Sequence, residues 1–282
     1  MEDRDLLAAR LRELSNRTYQ RDIPQHTDFL GTSEQAVFHE TERELAPVPF
    51  VLYGGHAEAD RQMALFLPAY LSEEAALGKK SAAGGNREDE AGDAGAAEQN
   101  RRLAELFSEY LACIRIRARS EKFADALTHR DYLGALMNLG IERDQTGDIL
   151  VDGTEAWIFC TTGVAGLITD ELTRVRHTAV ECERVSPAEC SLFPKFEAMS
   201  VNVASERLDA LVSAVFKLSR GVSAELIAAE KVFADGRILR QSGASLKEGM
   251  RISVRGYGKF IYDGMEHETK KGRLYVKVRK FV

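Results

Sequence analysis

The sequence predicts a multidomain α+β protein built from a helical N-terminal segment, an α/β middle unit and a small C-terminal α+β module. Three observations carry this reading. Strand and helix periodicities alternate in the order β-α-β-β-α-β over roughly residues 113–185. After Glu206, two amphipathic helical stretches lead into a run of short alternating strands. Two stretches with weak or no apolar periodicity, 78–100 and 186–203, separate the periodic parts. With 282 residues, 44% of them apolar, the chain can bury more than one core, which excludes wholesale disorder.

Residues 1–45 read as helical, because Leu7, Leu11 and Leu14 recur at helical spacing behind an acidic first turn. Pro47 and Pro49 bracket the start of a strand, Phe50 to Tyr53, which the Gly54-Gly55 pair breaks. A helical pattern through Ala59, Met63 and Leu67 is then expected to stop at Pro68. Gly78 to Asn100 holds alanine, glycine and charge but no large apolar residue, and predicts a flexible insertion.

The middle unit, 46–185, continues with a helix carrying Leu103, Leu106, Phe107 and Tyr110. Cys113 to Arg119 alternates apolar residues with arginine and predicts a half-exposed strand. Thr128 to Leu139 is a helix, with Thr128 and Asp131 as a capping box and Gly140 as the stop. Ile149–Val151 and Ala156–Cys160 flank Asp152-Gly153, a two-residue hairpin signal. A helix with Val164, Leu167, Ile168 and Leu172 and a strand from about Ala179 to Val185 complete a ferredoxin/RRM-like split βαβ order. Residues 186–203 read as a connector. In the last unit, 206–282, Leu208, Leu211, Val212, Val215 and Phe216 form a helical stripe, and Ser219 is the N-cap of a second helix with Val222, Leu226 and Ile227. Strands follow around the Asp235-Gly236 turn, at Met250–Arg255 and at Leu274–Arg279.

Charge is unevenly distributed. Residues 206–282 carry 16 Lys and Arg against 9 Asp and Glu, which leaves 22 against 35 for residues 1–205. A basic unit on an acidic body points to a polyanionic partner. No apolar run is long enough to span a membrane, and the charged start is unlike a signal peptide. Cys113, Cys160, Cys182 and Cys190 form no C-x-x-C pair, so a reducing, cytoplasmic compartment is expected.

The motifs of catalysis and cofactor binding are missing. The string His129-Arg130-Asp131 echoes a kinase catalytic loop, but it opens an amphipathic helix and has no Asn five residues after the Asp. There is no phosphate loop or dinucleotide fingerprint. The six histidines are scattered, and no acidic pair stands out for acid–base work. The sequence therefore predicts a protein without cofactor, metal or catalytic residues.

The basic residues are better organised. Arg207 opens the first C-terminal helix, Lys217 closes it, and Ser219 and Arg220 start the next. A helix N-terminus and a guanidinium fork both suit a phosphate. Lys231 and Arg237 flank the Asp235-Gly236 turn, and Arg251, Arg255 and Lys259 extend the surface. The reading requires Arg207, Lys217 and Arg220 to gather at the helical elbow rather than to be held by the chain's own carboxylates. Arg115, Arg117 and Arg119 on the middle strand offer a second RNA face.

These residues resemble a known motif. Arg207-Leu208-Asp209, Leu211, Ser219-Arg220, Leu226-Ile227, Val232, Asp235-Gly236 and Gly249 are similar to the alpha-L motif of the ribosomal protein S-four type RNA-binding domain. Two positions depart from it: Glu230 stands where the family commonly has Gly, and Met250 replaces the usual Asp. Residues 129–143, Gly147 to Val151, Gly54-Gly55 with Ala59-Asp60-Arg61, and Arg255 to Phe260 look like the YlmH family. That resemblance implies a non-enzymatic bacterial RNA-binding protein with a middle RNA-binding domain before the alpha-L domain. Family members associate with ribosomes, are linked to rescue of obstructed large subunits, and are linked by gene position to cell division. The expected partner is structured RNA, rRNA or tRNA on the large subunit, met by a monomer. The alternatives are an RNA-modifying enzyme that docks through an alpha-L domain, with His129, Asp131 and Asp148 converging on a pocket, and a division scaffold that binds RNA incidentally.

Overall fold

A computed structural model of the chain describes residues 2–74, 90–120, 122, 124–190, 192 and 195–281. They form two compact units: the first takes residues 2–34, 41–74 and those between 90 and 192, and the second takes 35–40 and 195–281.

The first unit opens with α1 (Glu2–Arg21), which buries Leu11 and Leu14. It is followed by β1 (Gln25–His26), by α2 (Thr32–Thr41), whose residues 35–40 are counted with the second unit, and by β2 (Phe50–Tyr53) and β3 (Met63–Phe66). The segment expected to be helical through Ala59, Met63 and Leu67 is instead β3, the central strand of the antiparallel sheet β1-β3-β2. All four β3 residues are buried. A strand covered on both faces loses its period-two signal, and so short an apolar run cannot be told from a buried helix by periodicity.

Next comes α3 (Glu90–Leu106). Residues 90–100 of the expected flexible insertion are therefore helical, and residues 78–89 of it lie outside the described residues. Ala, Glu and Gln are strong helix formers. Leu103 and Phe107 anchor the C-terminal end in the core, so the first turns need no apolar stripe of their own.

The split βαβ order is realised by β4 (Leu111–Ala118), α4 (His129–Asn138), β5 (Thr146–Asp152), β6 (Glu155–Thr161), α5 (Thr162–Glu171), a short β7 (Arg174–Val175) and β8 (Thr178–Val185). The antiparallel sheet runs β5-β6-β4-β8-β7. The backbone N–H of Thr128 donates to Asp131 Oδ2 at 2.9 Å, which caps α4. Asp152 pairs with Glu155, so Gly153 and Thr154 make the hairpin turn, one residue later than expected.

Both faces of this sheet are covered. Ala112, Ile114, Ile116 and Ile158 pack with Tyr132 and Leu136 of α4 and Ile168 of α5. On the other face, Leu111, Cys113, Trp157 and Phe159 pack with Tyr53, Met63, Leu65, Leu103 and Phe107. Gly55 explains part of that fit. Its φ is 100°, and a Cβ there would lie 2.1 Å from the Phe159 ring. The backbone can approach the aromatic ring only as glycine.

The second unit contains β9 (Phe196–Val203), α6 (Leu208–Phe216), α7 (Arg220–Ala228), β10 (Val232–Ala234), β11 (Arg237–Ile238), β12 (Arg251–Val254), β13 (Gly258–Glu268) and β14 (Leu274–Phe281). Its sheet runs β11-β10-β12-β13-β14-β9. The stretch 186–203, expected to be a connector, supplies β9, which pairs with β14 from Phe196–Phe281 to Val203–Leu274. Only Val201 and Val203 of this edge strand are buried, and the period-two run Met199-Ser-Val-Asn-Val203 is short and follows the irregular stretch around Pro187 and Pro194. The turn at Asp235 (φ 46°) and Gly236 (φ 78°) is left-handed at both residues, as a two-residue hairpin requires.

Leu208, Leu211, Val212 and Val215 of α6 are buried against Ile227, Val232, Ile252, Phe260, Val276 and Val278. Each fully buried Leu or Val contributes about 1.5–3 kcal/mol, so packing outweighs intrinsic propensity in fixing α6. The two departures from the alpha-L motif have local explanations. Glu230 sits at φ 55°, the left-handed conformation that glycine adopts without cost, and accepts from Arg240 Nε at 2.8 Å. Met250 packs against the unit's core.

Candidate nucleic-acid interface

The basic residues of the second unit fall into two groups rather than one. The first is centred on Asp209, in the first turn of α6. Its carboxylate is 6% exposed and accepts from Arg207 Nε at 3.1 Å and from Arg220 Nη2 at 2.7 Å. Asp209 Oδ1 also accepts from the Ala210 backbone N–H at 3.0 Å. Burial by itself raises the Asp209 pKa. Hydrogen bonds from Arg220 and Arg207, with their charges, outweigh it and hold the carboxyl below its usual range. Both guanidinium side chains remain about half exposed, at 51% and 54%. Each carries five N–H donors and gives one to Asp209. The result is a pinned pair of forks with a net charge of one positive unit. Ser219 caps α7 beside them, with its Oγ accepting from the Val222 N–H at 3.2 Å.

The condition set from the sequence, that these cations not be held by the chain's own carboxylates, is not met. Arg207 and Arg220 meet, but they do so on the chain's own Asp209, which orients them. Lys217 stands at the opposite end of α6 from Arg207, in the short turn that leads to Ser219 and Arg220, and is not bonded to Asp209. It is exposed and left-handed, at φ 55° and ψ 42°, in a C-cap position that glycine commonly fills.

The second group surrounds this helix end. The Arg255 N–H donates to the Lys231 carbonyl at 2.9 Å, which makes these exposed residues neighbours across β10 and β12. Lys259 Nζ lies 4.3 Å from the Phe281 ring centroid, and Lys280 Nζ lies 5.8 Å from that of Phe216. Arg237, by contrast, sits at the opposite end of β10 from Lys231.

The expected second face is altered by its surroundings. Arg115 is bonded to Glu155 and lies over Trp157, at 5.4 Å from the ring centroid. Arg117 pairs with Glu183 at 3.3 Å and with Glu181 at 4.0 Å. Cross-strand acids thus neutralise two of the three arginines, and Arg119 is left exposed beyond the end of the strand. The rest of that sheet face is buried, so no open base-stacking platform of the RRM kind exists among the described residues.

Two of the three groups suspected in the enzyme reading, Asp131 and Asp148, have structural tasks. Asp131 caps α4 and pairs with Arg176 at 3.2 Å. Asp148 accepts from the Asp60 N–H at 2.7 Å, the Arg61 N–H at 3.2 Å and His56 Nε2, 3.1 Å away, and so anchors the loop after Gly54-Gly55. A cavity of about 590 Å³ is lined by Glu34, Arg61, Arg143 and Asp144 among others, and does not include His129, Asp131 or Asp148. Burial raises the Cys160 thiol to about 12 and the Cys182 thiol to about 11, so both behave as small core groups. Among the described residues there is no cluster of three or more metal-ligating side chains, and no helix is long and apolar enough to cross a membrane.

Residues 108–189 match the family model described as "Putative RNA-binding domain in YlmH". The chain is 25% identical over 251 residues to "Ribosome-associated protein quality control protein P2" of Bacillus subtilis (strain 168), covering 89% of this chain and 84% of that one. The chain is thus similar to YlmH proteins, through this middle segment and along most of its length to the Bacillus relative. A solved structure titled "Cell division protein ylmH from Streptococcus pneumoniae" is similar at 22% identity and a TM-score of 0.42, covering 66% of this chain and 92% of that one. Sequence reasoning missed the role of Asp209. The available signal was an acid two residues after Arg207, on a helix whose other positions are apolar except Ser213.

Proposed function

We propose that the protein is a ribosome-associated RNA-binding protein that grips structured RNA, rRNA or tRNA on the large subunit, in quality control of translation. Residues 206–282 act as the alpha-L RNA-binding domain and the middle unit as a second RNA-binding domain. The observation that carries the proposal is the Arg207–Asp209–Arg220 arrangement beside the Ser219-capped start of α7. Two oriented guanidiniums and the N–H groups of a helix end suit adjacent phosphates on a folded backbone. A-form RNA is recognised largely through such backbone and shape contacts. Lys217, Lys231, Arg255 and Lys259 widen the cationic surface. The family model for the middle unit and the name of the Bacillus relative support the same reading.

Co-sedimentation with purified large subunits, at increasing salt, tests it. About five phosphate contacts lower affinity by roughly two to three decades between 50 and 200 mM salt. Arg220→Glu is expected to abolish most of the salt-sensitive binding. Binding that ignores both salt and the substitution overturns the proposal.

A further inference from the structure

We propose that Tyr257 is a stacking platform for one unpaired base of the bound RNA, with Lys217, Arg255 and Lys280 placed for the flanking phosphates. The inference deepens the RNA-binding reading and rests on it. Tyr257 lies in the tip of the β12–β13 hairpin, between Val254 and its partner Gly258. Its N–H closes the tip on the Val254 carbonyl at 3.0 Å. Gly256 (φ 86°) and Gly258 (φ 121°) on either side hold conformations that side-chain-bearing residues rarely adopt, so the tip is shaped around the tyrosine.

Tyr257 is 44% exposed, yet its ring is braced from within. Its centroid lies 6.2 Å from that of Phe216, whose own ring packs 5.9 Å from the buried Phe260. One part of the aromatic surface is thus supported while much of the ring meets solvent. Cations adjoin this cluster in the chain and in the sheet. Lys217 follows Phe216 in the chain, Lys280 Nζ sits 5.8 Å from the Phe216 centroid, and Arg255 shares the hairpin tip. The tip itself, Arg255-Gly-Tyr-Gly-Lys259, contains no acidic residue.

A rigid, supported aromatic among cations suits a base whose face is open and whose phosphates lie alongside. A fully paired helix hides its base faces in the stack. The substrate class is therefore RNA with an unpaired nucleotide, in a loop, bulge or end, beside a folded stem. An aromatic group of this kind also suits a protein partner, and the test separates the two.

The full chain is titrated by fluorescence anisotropy with two labelled probes: an RNA hairpin with a five-nucleotide loop and a blunt RNA duplex of equal length. Tyr257→Ala is expected to weaken hairpin binding about 5- to 100-fold and to leave duplex binding unchanged, while Tyr257→Phe retains the hairpin affinity. Thermal melting of each variant shows that the fold is intact. Equal effects on both probes overturn the inference, as does a loss shared by Tyr257→Phe. Unchanged affinity for both RNAs with lost co-sedimentation on large subunits assigns Tyr257 to a protein contact and overturns it too. Arg220→Glu is measured in parallel. If it weakens both probes while Tyr257→Ala weakens neither, the stacking inference fails and the RNA-binding reading stands. If Arg220→Glu changes nothing, the reading fails independently.

Discussion

Replacing Asp209 by Asn separates two accounts of how the arginines work. The substitution removes one negative charge from the candidate site. If Arg207 and Arg220 act only as diffuse positive charge, RNA affinity should rise. If they act as oriented forks, it should fall, because the group that pins them is lost. Charge-assisted hydrogen bonds are worth about 1.5–3 kcal/mol when well shielded. Here both guanidiniums are half exposed, so solvent screening reduces each bond to about 0.5–1 kcal/mol. The amide retains one acceptor, and the total loss of stability is about 1–2 kcal/mol. In a unit of this size, each kcal/mol moves the melting midpoint by about 4–8 °C. The loss of orientation should weaken RNA binding about 5-fold, close to 1 kcal/mol. Anisotropy titration with total tRNA, below the melting transition, reads this directly. Tighter or unchanged binding by a folded Asp209→Asn protein would refute the reasoning.

Three further outcomes are expected. Lys217→Gly relieves a left-handed conformation worth about 1 kcal/mol and should raise the melting midpoint by a few degrees while weakening RNA binding about threefold, since a cation is lost; calorimetry and anisotropy check the two halves. Gly55→Ala drives a Cβ to 2.1 Å from Phe159 and should destabilise the first unit by about 3 kcal/mol or more, visible as an early urea transition by Trp157 fluorescence. The Asp209 carboxyl is held below its ordinary value in the folded chain. It therefore contributes stability above the unfolded carboxylate pKa of about 3.9, and that contribution disappears as pH falls through the folded value. The native protein should lose stability more steeply than Asp209→Asn below about pH 4 in acid titrations followed by circular dichroism.

Much of the fold was legible because its elements announce themselves locally. The capping box at Thr128, the left-handed turn at Asp235-Gly236 and the Ser219 cap all sit where the sequence placed them. The failures share one cause: burial or pairing supplied by partners distant in sequence. Strand β3 is apolar throughout because it is covered on both sides, and β9 lies at a sheet edge with only Val201 and Val203 buried, behind a stretch with weak periodicity. Helix α3 starts in an apolar-poor run because Leu103 anchors it further along. In the candidate site, the sequence supplied the cations but not their partners. The pairing of Arg115 with Glu155 and of Arg117 with Glu181 and Glu183 depends on strand register. The meeting of Arg207 and Arg220 on Asp209 depends on how α7 folds back along α6.

Ultraviolet crosslinking of the protein to large subunits, followed by mass spectrometry of the nucleotide-bearing peptides, reaches the central claim most directly. Adducts are expected on peptides spanning residues 206–220 and 251–260. Crosslinked peptides that fall elsewhere, with the α6–α7 segment clean, would contradict it.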